Sequence, residues 1–187
     1  MYMKKLTVFI LALCIGVTSY GQAVDDEAII PVSITLNSIL RLNVTSGGNI
    51  EFVFNNIDQY KAGIANAPRY DTEFNVSSSI NFDVDLVAEN AVSFLGTDDP
   101  AHTMANTYVQ ILIAEAVAGN SDVAPAVATD LAATQEIVSY NVANGSNAGD
   151  GTDNSFIINW SVKPIIAANL AADRYSNNMF LSLRVPN

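Results

Sequence analysis

Few residues of this chain have both the type and the spacing that catalysis requires. His102 is the only histidine, and a lone histidine in a polar loop is expected to be exposed rather than catalytic. A Ser–His–acid triad would have to use His102, and no serine has the Gly-x-Ser-x-Gly spacing of a nucleophile elbow. Zinc needs several nitrogen or sulfur ligands, and no glycine-rich phosphate loop precedes a helical segment. The sequence therefore predicts no catalytic residues and a protein that is not an enzyme.

Two pairs of carboxylates have the chemistry to bind a cation. Asp150 and Asp153 lie in a loop rich in glycine and asparagine, and calcium binds several oxygen ligands from such loops. The EF-hand spacing is absent, and a flexible glycine-rich turn has the same composition. Asp83 and Asp85 share one face of a predicted strand, where they bind a cation, act as an acid–base pair or are simply solvated. We expect solvation for that pair and keep Asp150 and Asp153 as candidate calcium ligands, with no other cofactor.

The N-terminus predicts export. Two lysines precede an apolar run of 12 residues, 6–17, and small residues stand at the −3 and −1 positions of a cut before Gln22. This is the layout of a secretory signal peptide, and the run is too short to span a membrane. We therefore expect residues 1–21 to be a signal peptide and residues 22–187 a single domain without a transmembrane segment. A buried helix at residues 6–17 is the alternative.

Cysteine and charge restrict the mature chain further. Residues 11–14 loosely resemble a lipobox, so a lipid anchor on Cys14 is a second alternative. Cleavage before Gln22 would remove this only cysteine, and the fold would then have no disulfide. Loss of the two leader lysines changes the formal net charge from −11 to −13. Such a charge repels nucleic acid and anionic lipid, so no nucleic-acid partner is expected.

Apolar and polar residues alternate through most of the mature chain, which is typical of strands with one buried face. A long first strand, Ile29–Val44, is predicted to form a hairpin with residues 50–54 across Gly47–Gly48. The other predicted strands are 74–76, 80–86, 109–113, 138–142, 156–162 and 179–185. The Ala-rich stretch 114–134 has no clear period and is left open as strand, helix or loop. About seven to nine strands without a comparable helix predict an all-β, antiparallel, immunoglobulin-like β-sandwich.

Both ends of the chain resemble a known family. The segments Ile30–Thr35, Leu40–Val44 and Ile50–Phe52 open the chain, and Ala172–Asn178 leads into an alternating strand that ends at Pro186. Together they look like the pilin-like β-sandwich proteins of the bacterial spore-coat-U type, although Asp173 replaces a motif glycine and no cysteine pair is present. The composition looks like that of an envelope protein of the Bacteroidota. This resemblance implies a non-enzymatic surface or periplasmic subunit and supplies no binding residues.

These patterns favour an exported structural or adhesive subunit of a Gram-negative envelope, in the periplasm or at the cell surface. It would pair with envelope proteins or with itself through strand edges, and Met179–Val185 is the candidate edge. Only seven residues, Gln22–Ala28, precede the first predicted strand, which argues against assembly through a long N-terminal extension. One alternative is a periplasmic accessory or plug subunit of an outer-membrane secretion translocon, bound to one large membrane protein. Another is a carbohydrate- or calcium-binding module.

Overall fold

The computed structural model describes residues 31–117 and 119–186 of the 187-residue chain. The predicted signal peptide, with Cys14, lies outside the described residues. The chain divides into two compact units, residues 1–36 and residues 37–187. In the first unit, the described residues 31–36 form no helix or strand and are exposed.

The second unit is all-β, with antiparallel pairing throughout the ladders of its described residues. Its strands are β1 Leu40–Ser46, β2 Asp71–Ser78, β3 Asp83–Ala88, β4 Ser93–Gly96, β5 Thr103–Ala105, β6 Val109–Glu115, β7 Ser121–Val123, β8 Thr129–Asp130, β9 Thr134–Tyr140, β10 Ser155–Val162, β11 Tyr175–Ser176 and β12 Met179–Arg184. Helical structure is limited to α1, Ile57–Ala62, and to the 3₁₀ turns Pro68–Tyr70, Asn106–Tyr108 and Ile166–Ala168.

These strands form three sheets, in the orders β1-β2-β10-β6-β8, β12-β3-β9-β7 and β11-β4-β5. Alternate residues of β2, β3 and β10 are buried, as a strand with one face on a core requires. Phe74 and Phe156 of the first sheet lie in one apolar cluster with Leu86 and Ile137 of the second. The predicted all-β sandwich is confirmed, and the strand count exceeds the expected seven to nine because several strands have only two or three residues.

The predicted first strand is wrong over residues 31–39, because regular pairing begins only at Leu40. Ile39 is the last residue before β1 that is held, since its carbonyl accepts a hydrogen bond from the Ser79 N–H at 2.9 Å. Residues before it have the alternation of a strand and no neighbouring strand with which to form a ladder. Residues 31–39 therefore also precede the first strand, so the argument from seven leading residues fails.

The predicted hairpin between the first two strands is also wrong, because β1 pairs with β2 instead. Residues 50–54 alternate because Phe52 and Phe54 pack inward, with the Phe52 and Tyr70 ring centroids 4.3 Å apart. Their backbone belongs to no ladder. Alternation here reports burial of side chains and not strand pairing.

The Ala-rich stretch 114–134 contains the end of β6 and the short strands β7 and β8, and its described residues include no helix. Residues 144–154 form a loop, as expected, apart from a bridge between Gly149 and Ser78. The structure thus resolves the stretch that periodicity left open into short strands and connections.

Candidate functional site: an apolar groove between two edge strands

The two candidate calcium ligands lie in an exposed turn that Asp150 itself organises. Its Oδ1 accepts hydrogen bonds from Thr152 Oγ1 at 2.6 Å, from the Thr152 N–H at 2.7 Å and from the Asp153 N–H at 3.3 Å. The Thr152 hydroxyl above all, and then these N–H groups, lower the pKa of Asp150. Among residues 31–117 and 119–186, no group of three or more acidic, His or Cys side chains converges as a cation site would require. The calcium site stays a prediction.

His102 is only partly exposed and is tied to Asp173, with His102 Nδ1 3.0 Å from Asp173 Oδ2. The Asp173 carboxylate is inaccessible to solvent and accepts hydrogen bonds from the N–H groups of residues 97, 98, 99 and 174. The Asp98 N–H above all, and then His102, hold the pKa of Asp173 well below its usual range. This arrangement fastens the loop at residues 97–102 to the start of β11, which is a structural role.

Asp83 and Asp85 are not freely solvated as predicted, because Arg184 of β12 holds both. Arg184 Nη1 donates to Asp83 Oδ2 at 2.6 Å, and Nε donates to Asp85 Oδ2 at 2.9 Å. Glu136 completes the cluster through Arg184 Nη2. Asp83 is buried, and its second oxygen accepts the Tyr140 N–H at 2.8 Å. The pair serves as an ion-pair network within the second sheet.

An apolar groove of about 560 Å³ lies between β1 and β12, the edge strands of the two larger sheets. None of the side chains that line it is charged. The lining residues are Leu42, Val44, Gly47, Gly48, Asn49, Ile50, Phe52, Thr72, Leu86, Phe94, Val109, Ile158, Trp160, Asn177, Asn178, Met179, Phe180 and Leu181. Its volume is within the range of cavities that bind ligands or peptide side chains.

Hydrogen bonds hold the floor of the groove. Trp160 Nε1 donates to Thr72 Oγ1 at 3.0 Å, and Thr72 Oγ1 donates to the Gly47 carbonyl at 2.7 Å. Gly47 has φ +64° and its absent Cβ would lie 1.9 Å from the Asp71 carbonyl, so only glycine fits this turn. The indole N–H is therefore satisfied within the protein, and Trp160 presents an apolar ring surface to the groove.

Both strands that flank the groove have a free edge within the described residues. β1 pairs only with β2, and β12 pairs only with β3. The strand predicted as the candidate edge, Met179–Val185, is therefore an edge strand in the structure. Val44 of β1 and Phe180 of β12 are 43% and 53% exposed. Edge strands usually carry charges or proline against unwanted pairing, and here the apolar side chains are left uncovered.

No protein-family model matches this chain, and no curated protein matches it at significant similarity. The resemblance of its two ends to the spore-coat-U type therefore stays a prediction. Within the described residues, no helix has the length and hydrophobicity needed to cross a membrane.

Sequence reasoning missed the groove, because its lining comes from six strands and the segment after β1. The one available signal was the apolar alternation of β1 and β12, which identifies their inward faces and not the gap between them.

Proposed function

We propose that this chain is an exported, non-enzymatic structural or adhesive subunit of a Gram-negative envelope. It joins its partner by β-strand addition in the groove between β1 and β12. The occupant is an extended strand of the partner, with apolar side chains at alternate positions. The observation that carries this proposal is an uncharged groove of about 560 Å³ bordered by two strand edges with unpaired backbone.

Strand addition uses both features of the groove. Backbone N–H and C=O groups on a free edge bind the added strand, and the groove accepts every second side chain. The added strand would cover Val44 and Phe180, whose exposure otherwise invites non-specific pairing.

Energetics sets the length of strand that is needed. Each Val, Leu or Ile side chain that becomes fully buried contributes about 1.5–3 kcal/mol. Association costs about 4–15 kcal/mol in translational, rotational and side-chain freedom. At least three apolar side chains must therefore enter the groove, which requires a strand of five or more residues.

The polar clusters support a structural role rather than catalysis. His102 and Asp173 fasten a loop, Arg184 neutralises Asp83 and Asp85, and Asp150 holds its own turn. In each cluster the groups bond one another, and none of the three lies in the apolar groove.

A groove substitution provides the test. Val44→Asp places a charge in the groove at a half-exposed position, and we expect it to weaken assembly at least tenfold. Asn43→Asp adds a charge at the next residue of β1, which does not line the groove, and serves as the matched control. Each chain would be purified from its own cells after gentle solubilisation, and its partners identified and counted by native mass spectrometry.

The outcomes of that experiment are distinct. Recovery of the Asn43→Asp chain with copies of itself or with other envelope proteins, and of the Val44→Asp chain alone, supports the proposal. A single large outer-membrane protein in fixed ratio with both variants would favour the translocon alternative instead. Recovery of the unmodified chain as a free monomer would overturn assembly through the groove.

A further inference from the structure

We infer that the occupant of the groove is the segment Val32–Leu36 of a second copy of this chain. This inference rests on the proposed function, because it names the partner strand. Val32 and Ile34 are 81% exposed and Leu36 is 89% exposed. These three residues, called here the apolar face of the segment, alternate with Ser33 and Thr35. The segment therefore supplies the three alternate apolar side chains that the groove requires.

Charge also matches the segment to the groove. The chain has a formal net charge of −11, so two copies repel each other over most of their surfaces. The segment contains no charged residue, and no charged side chain lines the groove. Contact between these two surfaces is where two copies approach with least desolvation of charge. In the bound strand, Ser33 and Thr35 would face solvent.

The shortest hairpin in the same chain would place the segment the wrong way round. A two-residue loop at Asn37–Ser38 would pair Leu36 with Ile39. Directly opposed residues share one face of a sheet, so the apolar face of the segment would lie with Arg41 and Asn43. That is the side of β1 opposite to the groove-lining residues.

A three-residue loop corrects the face and meets a conformational obstacle. It would pair Leu36 with Leu40, and its third residue, Ile39, would take the left-handed conformation usual at that position. A β-branched residue strongly disfavours that conformation. Ile39 is moreover held to Ser79 by both backbone groups, with Ile39 N to Ser79 Oγ at 2.8 Å and Ser79 N to the Ile39 carbonyl at 2.9 Å.

Longer loops lose part of the strand. A four-residue loop returns the apolar face to the wrong side, and a five-residue loop at residues 35–39 removes Leu36 from the pairing. A segment from a second copy has no loop to close and can take the register that buries all three side chains. Each copy then gives a segment and receives one at a different surface, which is a heterologous contact that extends into a polymer.

Two complementary variants of the full chain test this exchange. Ile34→Asp disables the segment and leaves the groove intact, whereas Val44→Asp disables the groove and leaves the segment intact. Each variant alone is expected to be monomeric by size-exclusion chromatography with light scattering. Their equimolar mixture is expected to form a 1:1 dimer, because only the Val44→Asp segment and the Ile34→Asp groove can combine. Thr35→Asp and Asn43→Asp are matched controls that should assemble as the unmodified chain does.

Folding of each variant is checked by circular dichroism and by the fluorescence of Trp160. Phe180→Asp, at another exposed residue of the groove, replaces Val44→Asp if that variant does not fold. A mixture that stays monomeric would overturn the inference. Unchanged assembly of Ile34→Asp would do the same while leaving the groove proposal intact, whereas unchanged assembly of the groove variants would overturn both.

A disulfide test separates exchange between copies from insertion within one copy. In a Cys14→Ser background, a chain with Ile34→Cys is mixed with a chain with Val44→Cys under mild oxidation. A disulfide-linked dimer on non-reducing gels is expected. If one chain with both cysteines instead closes an internal disulfide at high dilution, the segment occupies its own groove and the inference is wrong.

Discussion

At the scale of single residues, Asp173 has the most demanding surroundings in the described chain. It accepts four backbone N–H groups and the His102 ring with a carboxylate that has no contact with solvent. Gly96 makes room for it, since a Cβ there would lie 2.4 Å from Asp173 Oδ2. Asp173 stands where the resembling family has glycine, and its carboxylate gives that departure a structural purpose.

The lowered pKa of Asp173 predicts a pH dependence of stability. Its pKa is lower in the folded than in the unfolded chain, so its contribution is present above the unfolded pKa of about 3.9 and is lost as pH falls toward the folded value. Asp173→Asn should therefore unfold at lower urea concentration at pH 7, and the difference should shrink at pH 3. Urea titrations of dilute protein measure this, with Asp58→Asn in α1 as control. A difference that is equal at both pH values would contradict the ionic origin.

At the scale of elements, the sequence predicted the strands whose alternation coincides with pairing, such as β10. It could not predict where β1 begins, because residues 32–36 alternate as β1 does and differ only in lacking a neighbour. It could not predict that Asp83 is buried, because its partner Arg184 is 101 residues further along the chain. Periodicity reports which side chains are suited to burial, whereas partners depend on topology.

Arg184→Met should be markedly destabilising, because it leaves the buried Asp83 carboxylate without its counter-ion. Breaking a buried ion pair costs about 3–5 kcal/mol. Arg184 is one-third exposed and Asp83 keeps the Tyr140 N–H, so we expect a loss of about 3 kcal/mol or less in the free energy of unfolding. Lys163→Met, which breaks the more exposed pair with Asp130, is the control and should cost below about 1 kcal/mol. Equal losses in urea unfolding would refute the role assigned to Asp83 burial.

At the scale of the whole molecule, the groove exists only because two sheets end side by side. Its walls come from β1 at one end of the chain and β12 at the other. The antiparallel sandwich follows from a count of alternating segments, but the order of strands in each sheet does not. The site was therefore beyond prediction even though most of the strands that build it were recognised.

Export also belongs to this scale, because it decides which residues the working molecule contains. Cleavage before Gln22 would leave Pro31–Leu36 within ten residues of the new N-terminus and would remove Cys14. We expect the intact mass of the protein from the envelope fraction to match residues 22–187. A lipid-modified mass beginning at Cys14, or an uncut chain, would show that the signal-peptide prediction is wrong.

The two free strand edges also limit how the isolated molecule can be stored and concentrated. An unpaired edge is a template for incorrect neighbours as well as the correct one. At neutral pH the negative charge of the chain slows such encounters, and both acid and concentrated salt remove that barrier. Clumping of still-folded molecules, rather than unfolding, is therefore the first failure to expect when the pH is lowered or the salt is raised.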